Sequence, residues 1–113
     1  MRWLLPIFLT ACSYGPAHLE QAKASVDKRM TFVSYYGWKR PAGMPYNQGN
    51  CAAFAKAYRA ELKRKGYDGK VFGCILPDGE HHAALQVGEW VLDNRYPMVV
   101  PLEGYECKQI GRK

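Results

Sequence analysis

Asn50-Cys51-Ala52-Ala53-Phe54-Ala55-Lys56-Ala57-Tyr58-Arg59-Ala60-Glu61-Leu62 is the stretch that decides the fold. Asn50 is a favoured N-cap, and alanines and long straight side chains follow it, so a helix is expected to begin at Cys51. Cys51, Phe54, Ala55, Tyr58 and Leu62 recur at helical spacing and form one apolar stripe. The thiol therefore lies in the first turn, on the face that packs. Unpaired backbone N–H groups and the positive end of the helix dipole favour a thiolate there. A buried structural cysteine fits the same pattern. Lys63-Arg64-Lys65 and Gly66 close the helix, cations suiting its negative end and glycine its stop.

Upstream, Tyr35 to Asn50 is rich in glycine, proline and aromatic residues and reads as a loop folded over the core or a site mouth. His18 to Val33 carries Leu19, Ala22, Val26, Met30 and Val33 at intervals of three and four, which predicts a helix with one buried stripe. Downstream the pattern changes to strands. Lys70 to Leu76 is β-prone, and Pro77-Asp78-Gly79-Glu80 is a turn. His82 to Val87 and Trp90 to Asp93 flank Gly88-Glu89, which suits a two-residue hairpin loop. Val99 to Leu102, or Glu106 to Ile110, adds a last strand. This order predicts an α+β domain with its N-terminal helices packed on one side of an antiparallel meander.

The hairpin register carries a chemical consequence. If Gly88-Glu89 is the loop, Val87 faces Trp90, Ala84 faces Asp93 and His82 faces Arg95. Side chains alternate faces, so His82 shares a face with Asp93 as its diagonal neighbour, near enough for an imidazole N–H to reach a carboxylate. His81 points the other way. A thiol at a helix start and a His–Asp pair on one sheet face form the layout of a cysteine nucleophile. Histidine takes the thiol proton and aspartate orients the ring. The N–H of Cys51, with the side chain of Gln48 or Asn50, would stabilise an oxyanion, with Asn94 as a further supporting residue. A core cysteine, a surface histidine and a strand-ending aspartate would read the same.

The N-terminus supplies an address. Met1 to Cys12 has one positive charge and then an apolar run too short to span a bilayer, and reads as a secretion signal. Leu9-Thr10-Ala11-Cys12 resembles the lipobox of bacterial lipoproteins, which implies lipid modification at Cys12 and, with Ser13 next, delivery to the outer membrane. The other reading is a short apolar start that stays attached at the membrane. We expect a signal segment at 1–12, a tether at 13–17 and one domain at 18–113, extracytoplasmic and bacterial or phage-encoded. Without Cys12 three cysteines remain, Cys51, Cys74 and Cys107. An odd number in an oxidising compartment predicts one disulfide and one free thiol. Cys74–Cys107 with Cys51 free suits catalysis, although the sequence leaves a paired Cys51 open.

The 113 residues suffice for one core, and 48% hydrophobic with 23% charged is ordinary for a globular domain. The net charge of +6 comes from scattered lysines and arginines, so no nucleic-acid partner is expected. No nucleotide, Walker-type or zinc spacing is present, and neither cofactor nor metal is expected.

Gly49-Asn50-Cys51-Ala52-Ala53-Phe54-Ala55, Gly79-Glu80-His81-His82-Ala83 and Val91-Leu92-Asp93-Asn94 together resemble the bacterial transglutaminase-like cysteine proteinases. Val26 to Met30 and Tyr35 to Trp38 are similar to that family's lead-in, so the resemblance runs from about Ala22 to Leu102. It implies a papain-like, transglutaminase-like fold with Cys51 as nucleophile, His82 as base and Asp93 as orienting acid. It also implies a periplasmic setting, since known members release adhesins from the cell surface. Where the family has acidic residues beside the cysteine, this chain has Asn50, Ala52 and Ala53. In calcium-dependent members those carboxylates hold the ion, so no calcium dependence is expected. The sequence thus predicts a lipid-anchored, monomeric cysteine peptidase or amidase acting on a peptide or envelope-protein substrate. The alternatives are a cell-wall peptidase of the NlpC/P60 type and a non-catalytic lipoprotein that binds an envelope protein.

Overall fold

The structure is a computed structural model in which residues 15–110 are described. The signal segment, Cys12 and the start of the tether lie outside the described residues.

The two helices are α1 (Ala17–Arg29) and α2 (Cys51–Arg64). The strands are β1 (Thr31–Phe32), β2 (Gln48–Gly49), β3 (Lys70–Ile75), β4 (His81–Val87), β5 (Trp90–Leu92), β6 (Val100–Pro101) and β7 (Lys108–Gln109). Five strands form an antiparallel sheet in the order β6-β5-β4-β3-β7. Both of the late segments that could have supplied a last strand do so, at opposite edges. β3 to β6 run as a meander, and the chain then crosses back so that β7 pairs with β3. The α+β arrangement expected from the sequence is present, with both helices against the sheet.

Leu19, Ala22 and Val26 of α1, Phe54, Tyr58 and Leu62 of α2, and Leu85 and Leu92 of the sheet form the principal core. Its members lie at the apolar spacings of both helices, which is what their burial requires. A second cluster of Phe72, Cys74, Ala84, Val91 and Cys107 lies under Leu102 and Tyr105. The Cys74–Cys107 disulfide pins that covering segment to β3.

α1 ends before its predicted limit. Met30 turns extended, and Thr31-Phe32 pairs in parallel with Gln48-Gly49. A β-branched and an aromatic residue suit that strand better than a further helical turn. Val33 therefore leaves the helix stripe. Gly15 N donates to Glu20 Oε2 at 2.9 Å, Pro16 occupies the cap position and Ala17 is already helical.

β2 runs directly into α2. Gly49 permits this, because a β-carbon there would collide with the Ala53 side chain. Gly88 has φ +60° and Glu89 has none of the positive φ that a type I′ turn needs, which gives a II′ hairpin. Val87 pairs with Trp90 and Leu85 with Leu92, the register expected from the sequence.

Candidate active site

α2 begins at Cys51 because Asn50 caps it. Asn50 Oδ1 accepts the Ala53 N–H at 3.1 Å. Both Asn50 amide hydrogens are also used, donated to the carbonyls of Tyr35 and Gly37 at 3.0 Å each. This is a correction for Asn50 as an oxyanion donor: it secures the preceding loop to the helix start and has no hydrogen left to give. Gln48 is half-buried in β2, where its carbonyl accepts from Arg40 Nε at 3.0 Å. Among the described residues its side-chain amide makes no hydrogen bond within the protein.

Cys51 is free and partly exposed. Burial pushes its thiol up, but the hydrogen bond and charge of His82 and the N–H groups of Ala83 and Ala52 outweigh this, and its pKa falls below the ordinary value. His82 lies on β4 opposite Cys74, inside the fold at 8% exposure, while His81 is exposed. Its Nε2 donates to Asp93 Oδ1 at 2.8 Å. That leaves Nδ1 for the thiol. Burial favours neutral imidazole, yet the bonds to Asp93 and Cys51 prevail and raise His82 to about 9.

Asp93 is 1% exposed and receives more partners than the sequence suggested. Burial favours its protonated form, but bonds from His82, Tyr105 and the Arg95 backbone lower it to about 2. Tyr105 donates its hydroxyl to Oδ2 at 2.6 Å. Arg95 donates Nη2 and Nε to Oδ2 at 3.0 and 3.2 Å, and its backbone N–H to Oδ1 at 2.9 Å. Glu106 in turn accepts from Arg95 Nη1 at 3.4 Å and Tyr96 Oη at 2.9 Å. A buried carboxylate needs such a full set of donors to remain ionised.

Arg95 does not face His82 across a ladder, as simple extension of the hairpin register predicts. β5 stops at Leu92, and Asp93 bends the chain by accepting the N–H two residues on, an Asx turn. The strand register still leaves His82 and Asp93 on one face, so the pair forms. Asn94 sits in this turn half-buried, with its Oδ1 lacking a partner among the described residues.

Arg95 and Tyr105 were not legible as site residues. Hairpin register by itself extends the ladder to Arg95, and Tyr105 reaches Asp93 because the disulfide draws residues 105–107 over the sheet. A second buried polar group was missed as well. Lys23 is 0% exposed and donates to Asp27 Oδ2 at 2.6 Å and to Tyr58 Oη at 3.3 Å. Tyr58 donates to Asp27 Oδ1.

The residues beside Cys51 do not form a calcium site of the kind the resemblance implies. The oxygen of Asn50 is occupied by the helix, and Ala52 and Ala53 have no side-chain oxygen. Among the described residues no helix is long and apolar enough to cross a membrane.

No family model matches the sequence, and no curated protein matches it. Solved structures do. Legionella pneumophila LapG aligns with a TM-score of 0.66 at 13% identity over 89% of this chain and 67% of that one. The calcium-bound form of LapG gives 0.64 at 14% identity with the same coverages. Its EGTA-treated form gives 0.63 at 13% identity over 89% of this chain and 65% of that one. The chain spans about two thirds of the length of LapG, and the likeness establishes that its fold is the transglutaminase-like α+β fold.

Proposed function

We propose that the chain is an extracytoplasmic cysteine peptidase or amidase that uses Cys51, His82 and Asp93 on a peptide substrate. The observation that carries this reading is the continuous line from a lowered thiol through His82 to a carboxylate held by four N–H and O–H donors besides the imidazole. Fold and motif resemblance point the same way.

In this mechanism Cys51 and His82 form a thiolate–imidazolium pair, which Asp93 stabilises by holding the ring and its charge. The thiolate attacks a peptide carbonyl. The resulting oxyanion is met by the free N–H of Cys51 at the helix start, with the Gln48 amide as the nearby side chain not already committed. His82 gives its proton to the leaving amine, and a thioester remains. Water, deprotonated by the now neutral His82, attacks the thioester, and the thiolate leaves with the product acid.

The compartment follows from cysteine chemistry. A disulfide persists in an oxidising environment, so an exported protein suits the Cys74–Cys107 pair. Lipid attachment at Cys12 and an outer-membrane address belong to the same reading, as does a monomeric state.

The test is the pH dependence of Cys51 alkylation by iodoacetamide in the protein, with His82→Ala and Asp93→Ala beside it. The expected apparent pKa lies well below about 8.5 for a free thiol, returning toward it in the His82 variant. Peptide hydrolysis should fall as pH rises through about 9, where His82 loses the proton that the leaving group needs. An inert Cys51, or one indifferent to both substitutions, would overturn the enzyme reading in favour of a binding module.

A further inference from the structure

A groove of about 640 Å³ lies on the outer side of α2, against the loop that precedes it. Ala53, Ala57 and Ala60 of α2, with Met30, give it apolar parts. Four cations line it too, Arg29, which is paired with Glu61 at 3.6 Å, and the three others Lys39, Arg40 and Lys56, and no acidic residue does. Arg40 and Lys56 are spent on carbonyls, Arg40 on those of Gln48 and Tyr46 and Lys56 on that of Trp38. Such bonds fix the side chains but leave their charge uncompensated, and among the described residues none of these three cations forms an ion pair with a carboxylate. Tyr35 also lines the groove, and its hydroxyl is buried with no partner among the described residues. Three fixed or flanking cations, an unspent hydroxyl and an apolar helix face fit a chain that offers carboxylates and aliphatic side chains together.

The groove is mechanically joined to the nucleophile. Asn50, immediately before Cys51, holds the carbonyls of Tyr35 and Gly37. Trp38 lines the groove, is 51% exposed and lies beside Gly73, whose strand partner Ala83 is the neighbour of His82 on β4. A peptide lying in the groove and crossing Trp38 would therefore be led toward β4, the strand that carries His82.

We infer that the groove binds an acidic, aliphatic-rich stretch of the polypeptide substrate, away from the bond that is cut. This rests on the peptidase reading for the word substrate, though the binding itself does not require catalysis. The apolar helix face disfavours a purely phosphate ligand, which would leave Ala53, Ala57 and Ala60 uncovered.

The test uses the full chain and two fluorescein-labelled hexapeptides, one alternating Glu and Leu and the other Lys and Leu, read by anisotropy. The Glu peptide should bind more tightly than the Lys peptide, and more weakly as salt is added. Lys39→Glu, at an exposed side chain, should weaken it about five- to tenfold, and Lys39→Gln by less. Equal binding of both peptides, or no effect of either Lys39 variant, would overturn the inference. So would a groove that binds duplex DNA, lost in Lys39→Glu, while ignoring the Glu peptide. Cys51 alkylation, measured alongside, separates the two readings. Charge-selective binding with an inert Cys51 supports the groove and removes the peptidase, whereas an activated Cys51 without such binding does the reverse.

Discussion

The cluster around Asp93 and the cluster around Lys23 are built from similar parts, each with a buried carboxylate or ammonium, a tyrosine hydroxyl and an opposite charge. They differ in what is left over. Lys23, Asp27 and Tyr58 satisfy one another across α1 and α2, and burial with the Asp27 bond pushes the Tyr58 hydroxyl well above its ordinary pKa. Nothing in that group faces a reactive partner, so it acts as a polar clasp between two helices. Asp93 is also satisfied, but one of its donors is an imidazole whose second nitrogen meets a thiol that solvent can reach. The same physics makes one cluster a clasp and leaves the other with an imidazole beside a free cysteine, the arrangement on which the proposed chemistry rests.

The largest way to break this distinction is to cut the disulfide. Replacing Cys74 and Cys107 by serine frees a 33-residue separation and should cost about 3–4 kcal/mol in chemical denaturation. It should also raise the alkylation pKa of Cys51, since Tyr105 is two residues from Cys107 and would loosen from Asp93. Normal Cys51 chemistry in that variant would show that the Asp93 cluster stands without its covering segment.

A smaller effect is expected at the clasp. Lys23→Ala strands Asp27 and removes a buried ion pair, at about 2–3 kcal/mol, below the range for fully buried pairs because the Asp27 side chain is 31% exposed. The Cys51 pH profile should not move. If it did, the two clusters would be coupled through the core rather than separate.

Smallest is the acid limb of stability. The folded pKa of Asp93 is depressed, from 3.8 to about 2, so its contribution is present above about pH 4 and lost as pH falls toward 2. It amounts to about 2 kcal/mol. His82 has the opposite sign: its pKa is raised from 6.5 to about 9, so its contribution is present below 6.5 and lost as pH rises through 9. Asp93→Asn should flatten both limbs in thermal unfolding measured across pH. An unchanged acid limb would mean that other carboxylates set it.

Much of this was legible in the chain because it depends on short-range rules. Asn50 caps the helix, since a side-chain oxygen three residues before a free N–H is a local arrangement. Gly88 makes the II′ turn, and a two-residue loop fixes register, so His82 and Asp93 had to share a face. The alternation of strand side chains made His82, not His81, the inner member of the doublet. The end of α1 was less legible, because Thr31 and Phe32 leave the helix only when Gln48 and Gly49, seventeen residues on, offer a parallel partner.

What the sequence determined by itself was the helix start that carries the thiol and the hairpin that carries the histidine and aspartate, and hence where the candidate site lies. What only the tertiary structure decided was how that aspartate is kept charged and which groups are spent. Arg95 folds back because Asp93 makes a turn instead of continuing a strand. Tyr105 arrives through a disulfide that closes over the sheet. Asn50 spends both amide hydrogens on two carbonyls of the preceding loop. The Tyr105 and Asn50 contacts join separate segments of the chain, where no local propensity specifies the partner, whereas the Asp93 turn is local and wins over continuation of the strand.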